Sequence, residues 1–400
     1  MISCAQINAP SKTPALWAPA GLRELWMKNP GSMEAMMKEM SHDFRVLQVH
    51  GTLFKVYAPS IIPLAPALAK EISSSSKGAR PDDPIILSDP PESSEHFQAF
   101  LFGVYKQSDL DVRVVSFLDI LLVAEMSFHY GNINSAFWAM EGVRLGVYAT
   151  QDRPLRSASA DLFVRLLKVA FICEDDALSH SVQSQWLCRL FRGELSPLRA
   201  IEMGSKEPGR LEHLLSHAYY VHMVQLDPLL SAGQSIEARS PLSSIQNLHV
   251  FCGYYSLSTF IAKIGECPRP FRRGRGCMSH ADCERVWKAS WTAAMKNSST
   301  GSEVDILGRL RGVVLELGRD QLLPLAMFHR CRINALGSVA KLRETISKQL
   351  NHHFDLTGRE KLPTTRYSSS VGLFPAAVGC QLTDDTRLED YHLVHTFEGA

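Results

Sequence analysis

The stretch Phe44-Arg-Val-Leu-Gln-Val-His-Gly-Thr-Leu-Phe-Lys-Val-Tyr57 decides how this chain reads. Phe44 and Val46 alternate toward one side, Leu47 and Val49 toward the other. A strand that is apolar on both faces belongs inside a fold. Gly51 supplies the positive φ that a tight reversal demands, although His-Gly is a weaker hairpin signal than Asn-Gly. The return strand places Phe54 and Val56 together, with Lys55 and Tyr57 opposite.

Working outward, Leu64 to Ile72 suits a short helix with Pro66 in its first turn. The Ser-rich run 73–84 is a loop by composition, and a short strand follows at Ile85-Ile-Leu87. Asp89 as cap, Pro90 as first residue and Glu92 three places on predict a helix start. Phe97, Phe100, Leu101, Val104 and Tyr105 then repeat at helical spacing and form one apolar stripe. From Ser116 to Phe128 the apolar residues surround the axis. Such a helix is either central or buried by its own core on one side and by a partner on the other. Gly131-Asn132 separates it from a helix over Ile133–Val143, with Ile133, Phe137, Met140 and Glu141 in register.

The 400 residues are too many for one ordinary core, and 45% apolar composition excludes a mostly disordered chain. Lys and Arg total 42 against 41 acids, so no global field draws the chain to nucleic acid or anionic membranes. Nine scattered cysteines and an N-terminus without a basic, apolar leader point to reduced thiols in a cytoplasmic or nuclear protein. No apolar run approaches the ~20 residues that span a bilayer. The expected division is a variable segment over 1–42, an α+β domain over 43–146, helical regions over 147–232 and 245–356, and a largely disordered tail over 357–400. The Met-rich run 33–40 suits a short helix, and 227–244 reads as a Pro/Gly/Ser-rich joint.

Motifs for chemistry are sparse. Cys267, Cys277, His280 and Cys283 give Cys-x9-Cys-x2-His-x2-Cys, and zinc accepts such ligands. The spacing matches no common finger, and Pro268, Pro270, Gly274 and Gly276 interrupt it, so scattered thiols are the expectation and no metal is assigned. Arg269, Arg272, Arg273 and Arg275 make a local basic cluster, interleaved with aromatics only at Phe271, and read as a solvated loop. Glu174-Asp175-Asp176 is expected to end one helix and start the next, and His352-His353 to be a satisfied surface pair. No phosphate-binding glycine loop and no nucleophile elbow occurs. No catalytic residue, cofactor or small-molecule substrate is therefore expected.

The order hairpin, short helix, strand, amphipathic helix, apolar helix, helix resembles the BTB/POZ domain. The words of the sequence resemble most the BTB proteins abundant in mushroom-type fungi. Asp43 followed by Val46–Val56, Ala65-Pro-Ala-Leu68, Pro84–Asp89, Phe97–Tyr105 and Leu121–Met126 carry the likeness. The chain departs from it at Tyr57, where the family has His, and at Ala65 and Leu68, where it has Ser and Phe. The helical pairs that follow resemble a BACK-type region. The resemblance implies a non-catalytic protein-interaction protein, homodimeric through the N-terminal segment and the Phe117–Met126 helix, with Leu118, Leu121, Leu122 and Met126 as candidate interface. The alternatives are a substrate adaptor of a cullin-type ubiquitin ligase and a transcriptional regulator using the Arg269–Arg275 loop, with nucleic acid the less expected partner.

Overall fold

The computed structural model describes residues 15–17 (backbone only), 43–87, 93–106, 111–148, 154–231, 241–298 and 302–354. The Met-rich run 33–40, the expected cap at Asp89–Glu92 and the tail lie outside these residues. The described part is α+β, a small sheet near the N-terminus followed by a large helical body.

Strands β1 (Ala15–Trp17), β2 (Phe44–Val49), β3 (Thr52–Tyr57) and β4 (Ile85–Ile86) form one sheet in the order β1-β3-β2-β4. The β2–β3 pair is antiparallel, whereas β1 on β3 and β4 on β2 are parallel. His50 and Gly51 both adopt positive φ, 47° and 80°, the backbone of a two-residue hairpin whose twist matches its strands. Strand β2 lies between two neighbours, and Phe44, Val46, Leu47 and Val49 are all buried, as a strand apolar on both faces requires. Val46 N–H also donates to the Gly78 carbonyl at 2.8 Å, which pins the Ser-rich loop to the sheet.

Helices α1 (Ala58–Ile61) and α2 (Pro66–Ser74, with Pro at its start) follow the hairpin, and α3 spans Ser94–Lys106. Helix α3 begins at Ser94, where the Ser93 hydroxyl accepts the His96 N–H and serves the free end. The predicted stripe holds: Phe97, Phe100, Leu101, Val104 and Tyr105 are all buried, each contributing about 1.5–3 kcal/mol on burial. Phe97 meets Phe54 edge-on at 5.0 Å, and the Tyr105 hydroxyl accepts Tyr57 N–H at 3.2 Å, closing the end of β3.

Helix α4 (Phe117–Tyr130) is capped by Ser116, whose hydroxyl accepts Asp119 N–H, and ends at Gly131 with φ 75°. Asn132 then caps α5 (Ile133–Tyr148) by accepting Ser135 N–H. Two apolar cores meet on α4. Met126 and Tyr130 join the sheet-side core, while Ile120, Leu121, Val123 and Ala124 join a helical core that runs on to Phe354. Of the two meanings of an all-round apolar helix, the structure takes the central one over most of its length.

The helical body continues with α6 (Ala160–Ile172), α7 (Asp176–Phe191), α8 (Leu198–Lys206), α9 (Pro208–Ser231), α10 (Ser244–Glu266), α11 (His280–Asn297), α12 (Ile306–Arg319), α13 (Leu322–Ala326), α14 (His329–Lys348) and α15 (Leu350–Phe354). Ser159, Asp175, Ser243 and Asp305 cap α6, α7, α10 and α12 with side-chain oxygens. Helix α9 runs through Asp227 and Pro228, further than the expected joint, as the buried Asp227 carboxylate takes Glu303 N–H at 2.7 Å and the proline falls in the last turn. Tyr220 donates to Asp305 at 2.6 Å and accepts Leu307 N–H at 2.9 Å, tying α9 to the start of α12. Arg165 on α6 grips Glu125 on α4 with two hydrogen bonds, 2.8 and 2.6 Å, and Arg144 on α5 reaches Asp175 at 2.7 Å. Both pairs cross the expected boundary at 146.

Candidate interaction surface and the cysteine cluster

The four candidate interface residues divide by their position on α4. Leu118 is 52% exposed and Leu122 half-buried, whereas Leu121 and Met126 are buried, at 0% and 9%. Leu121 and Met126 are therefore corrected to core residues, because the two cores of the chain already cover the sides of the helix they occupy. The apolar groups left outside lie elsewhere on the same hairpin. Val114 just before α4 and Ile133 and Phe137 on α5 are 73%, 64% and 66% exposed, while Ala136, Ala139, Met140 and Val143 face inward. Helical spacing placed Ile133, Phe137 and Met140 in one register. Only Met140 is buried, because the inner face of α5 is centred on the small residues beside it.

Helix α10 is similarly two-faced. Val250, Gly253, Leu257 and Ile261 are buried, while Ile245, Leu248, Phe251 and Tyr255 keep an apolar stripe in solvent. Large contiguous apolar surface marks interaction sites more often than scattered residues do.

The acidic run behaves as a helix junction. Asp175 caps α7 by accepting Leu178 N–H at 2.9 Å. Burial pushes its carboxyl up, but that hydrogen bond and the Arg144 guanidinium bring it below the usual carboxylate range. Beside it, burial raises the Cys173 thiol to about 11, which keeps it protonated and unreactive. In the helical core, burial and the neighbouring His213 hold His217 neutral, down to about 3, between the His213 carbonyl and the Ser347 hydroxyl. His353 binds the Ser256 hydroxyl at 2.8 Å.

The cysteine motif is split by the fold. Cys267 is exposed, whereas Cys277, His280 and Cys331 bring their ligand atoms within 4.8 Å of one another. Cys283 joins through Cys277, with their sulfurs 3.8 Å apart. Cys331, which no local spacing connects to the others, was absent from the motif read in the sequence. The basic loop shares this site: Arg273 donates to the Cys277 carbonyl, while Arg269, Arg272 and Arg275 are exposed. Next to it lies a cleft of about 270 Å³ between Pro268, Phe271, Glu284 and Trp287, below the usual size of a ligand pocket. Among the described residues no helix is long and apolar enough to cross a membrane.

No family model matches the chain, and no curated protein or solved structure is significantly similar to it.

Proposed function

We propose that the chain is a non-catalytic protein-interaction protein that pairs with a second copy of itself through the outer face of the α4–α5 hairpin. The observation that carries this reading is the exposure of Leu118, Ile133 and Phe137 on two helices whose inner faces are already filled. Apolar side chains of this size gain about 1.5–3 kcal/mol each when covered, and the chain's own described cores leave them in water. The order of elements over 43–148 adds support, since it is the order that the BTB/POZ resemblance implies.

Multi-angle light scattering at micromolar concentration tests the reading, and a mass of two chains is expected. Replacing Phe137 or Leu118 by Glu should return the mass to one chain. Because both side chains are exposed, each change should alter stability by no more than about 0.5 kcal/mol. Glutamate at Leu121 would instead unfold the protein, because that side chain has no solvent to reach. A single-chain mass for the unmodified protein would sink the proposal.

A further inference from the structure

We infer that Cys277, His280 and Cys331 hold one zinc ion that fastens the irregular segment 267–279 to α11 and α14. Two thiols and an imidazole are ligand chemistry that zinc prefers, and a solvent molecule would complete the tetrahedron. Zn–S bonds of about 2.3 Å and a Zn–N bond of about 2.0 Å, set tetrahedrally, require sulfur–sulfur edges of roughly 3.8 Å and sulfur–nitrogen edges of roughly 3.6 Å. The ligand atoms of Cys277, His280 and Cys331 all lie within 4.8 Å of one another, with Cys331 Sγ 3.7 Å from His280 Nδ1, while Cys283, its sulfur 3.8 Å from that of Cys277, falls outside this group.

The surroundings are those of a metal site as well. Glu284 lies 3.4 Å from His280 Nε2, the ring nitrogen turned away from the thiols. A carboxylate beside the outer ring nitrogen is the usual neighbour of a zinc-ligating histidine. Gly274 N–H donates to Cys331 Sγ at 3.1 Å, which holds the sulfur against the segment. His280 is the first residue of α11, so the helix start fixes its position. Phe271 packs edge-on against the His280 ring at 5.1 Å and shields one side.

The segment 267–279 also needs such a fastening. It contains no helix or strand, yet Phe271, Gly274 and Cys277 within it are buried. Irregular stretches of that length are uncommon in compact domains unless something other than a backbone ladder orders them. On binding, each thiol loses its proton to solvent as the Zn–S bond forms.

The test is elemental analysis of the full chain, purified reduced and without chelator. One zinc per chain is expected. Cys331→Ser and His280→Ala should abolish it, and Cys267→Ser should leave it intact. Glu284→Gln should weaken zinc binding about tenfold with the circular dichroism of the helices unchanged. Should Cys331→Ser fail to fold, cobalt exchanged into the unmodified chain gives the second readout, with thiolate charge-transfer and tetrahedral ligand-field bands expected. A reduced chain that takes up no zinc from a stoichiometric titration overturns the inference. So does a Cys277–Cys283 disulfide in the purified protein, zinc loss in Cys267→Ser equal to that in Cys331→Ser, or a cobalt spectrum without thiolate bands. These outcomes concern metal content and leave the self-association reading untouched.

Discussion

The hairpin 44–57 and the irregular segment 267–279 both bury their anchors, but by different means. In the hairpin the partners are close in sequence, from Val49 opposite Thr52 at the turn to Phe44 opposite Tyr57 at the ends. In the segment they are distant: Gly274 N–H goes to the Cys331 thiol, and the Arg272 carbonyl receives the Asn334 amide at 3.0 Å. Two glycines condense the difference. Gly51 sits at φ 80° with nothing within 4 Å of where a Cβ would stand, so its value is purely conformational. Gly274 has no positive φ, yet a Cβ would lie 2.7 Å from Arg330 Cβ and 2.9 Å from Cys331 N, so its value is room. Dihedral demands are local and are read from neighbours in sequence. Demands for space come from whatever the fold brings alongside.

That comparison predicts a ranking of chemical-denaturation energies. The greatest loss is expected at the hairpin's anchor. Phe97→Ala removes the ring that meets Phe54 and should cost about 3–5 kcal/mol, and a loss under about 1 kcal/mol would mean that hairpin and helix are not packed as described. Gly274→Ala should cost about 1–3 kcal/mol, because backbone atoms block the new methyl, and it should also weaken zinc retention. Gly51→Ala should cost about 1–2 kcal/mol from the positive φ alone and leave zinc content unchanged. An equal effect of both glycine changes on zinc would break the distinction between conformation and room. The smallest change sharpens the hairpin side: His50→Asn replaces a residue at φ 47° by one better suited there and should stabilise by a few tenths of a kcal/mol.

The parts legible in the sequence were those with a short period. The hairpin and the α3 stripe followed from spacings of two and of three to four residues, and Phe97 to Tyr105 are buried as that stripe required. For α4, the all-round apolar pattern correctly announced burial but could not say by what. A periodicity records that a face is covered and carries no information about whether the cover is the same chain. Leu121 and Met126 were misassigned for that reason.

By itself the sequence determined the strands β2 to β4, the α3 stripe and the lack of a recognisable catalytic motif, since each of these depends on residues a few positions apart, whereas β1 fell within the expected variable segment 1–42. Only the tertiary structure decided that α4 is covered by two cores of its own chain, and that Cys331 rather than Cys267 completes the thiol cluster. Cys331 stands 51 positions beyond His280, and a contact closed over that distance is fixed by the packing of α11 against α14 rather than by any local pattern.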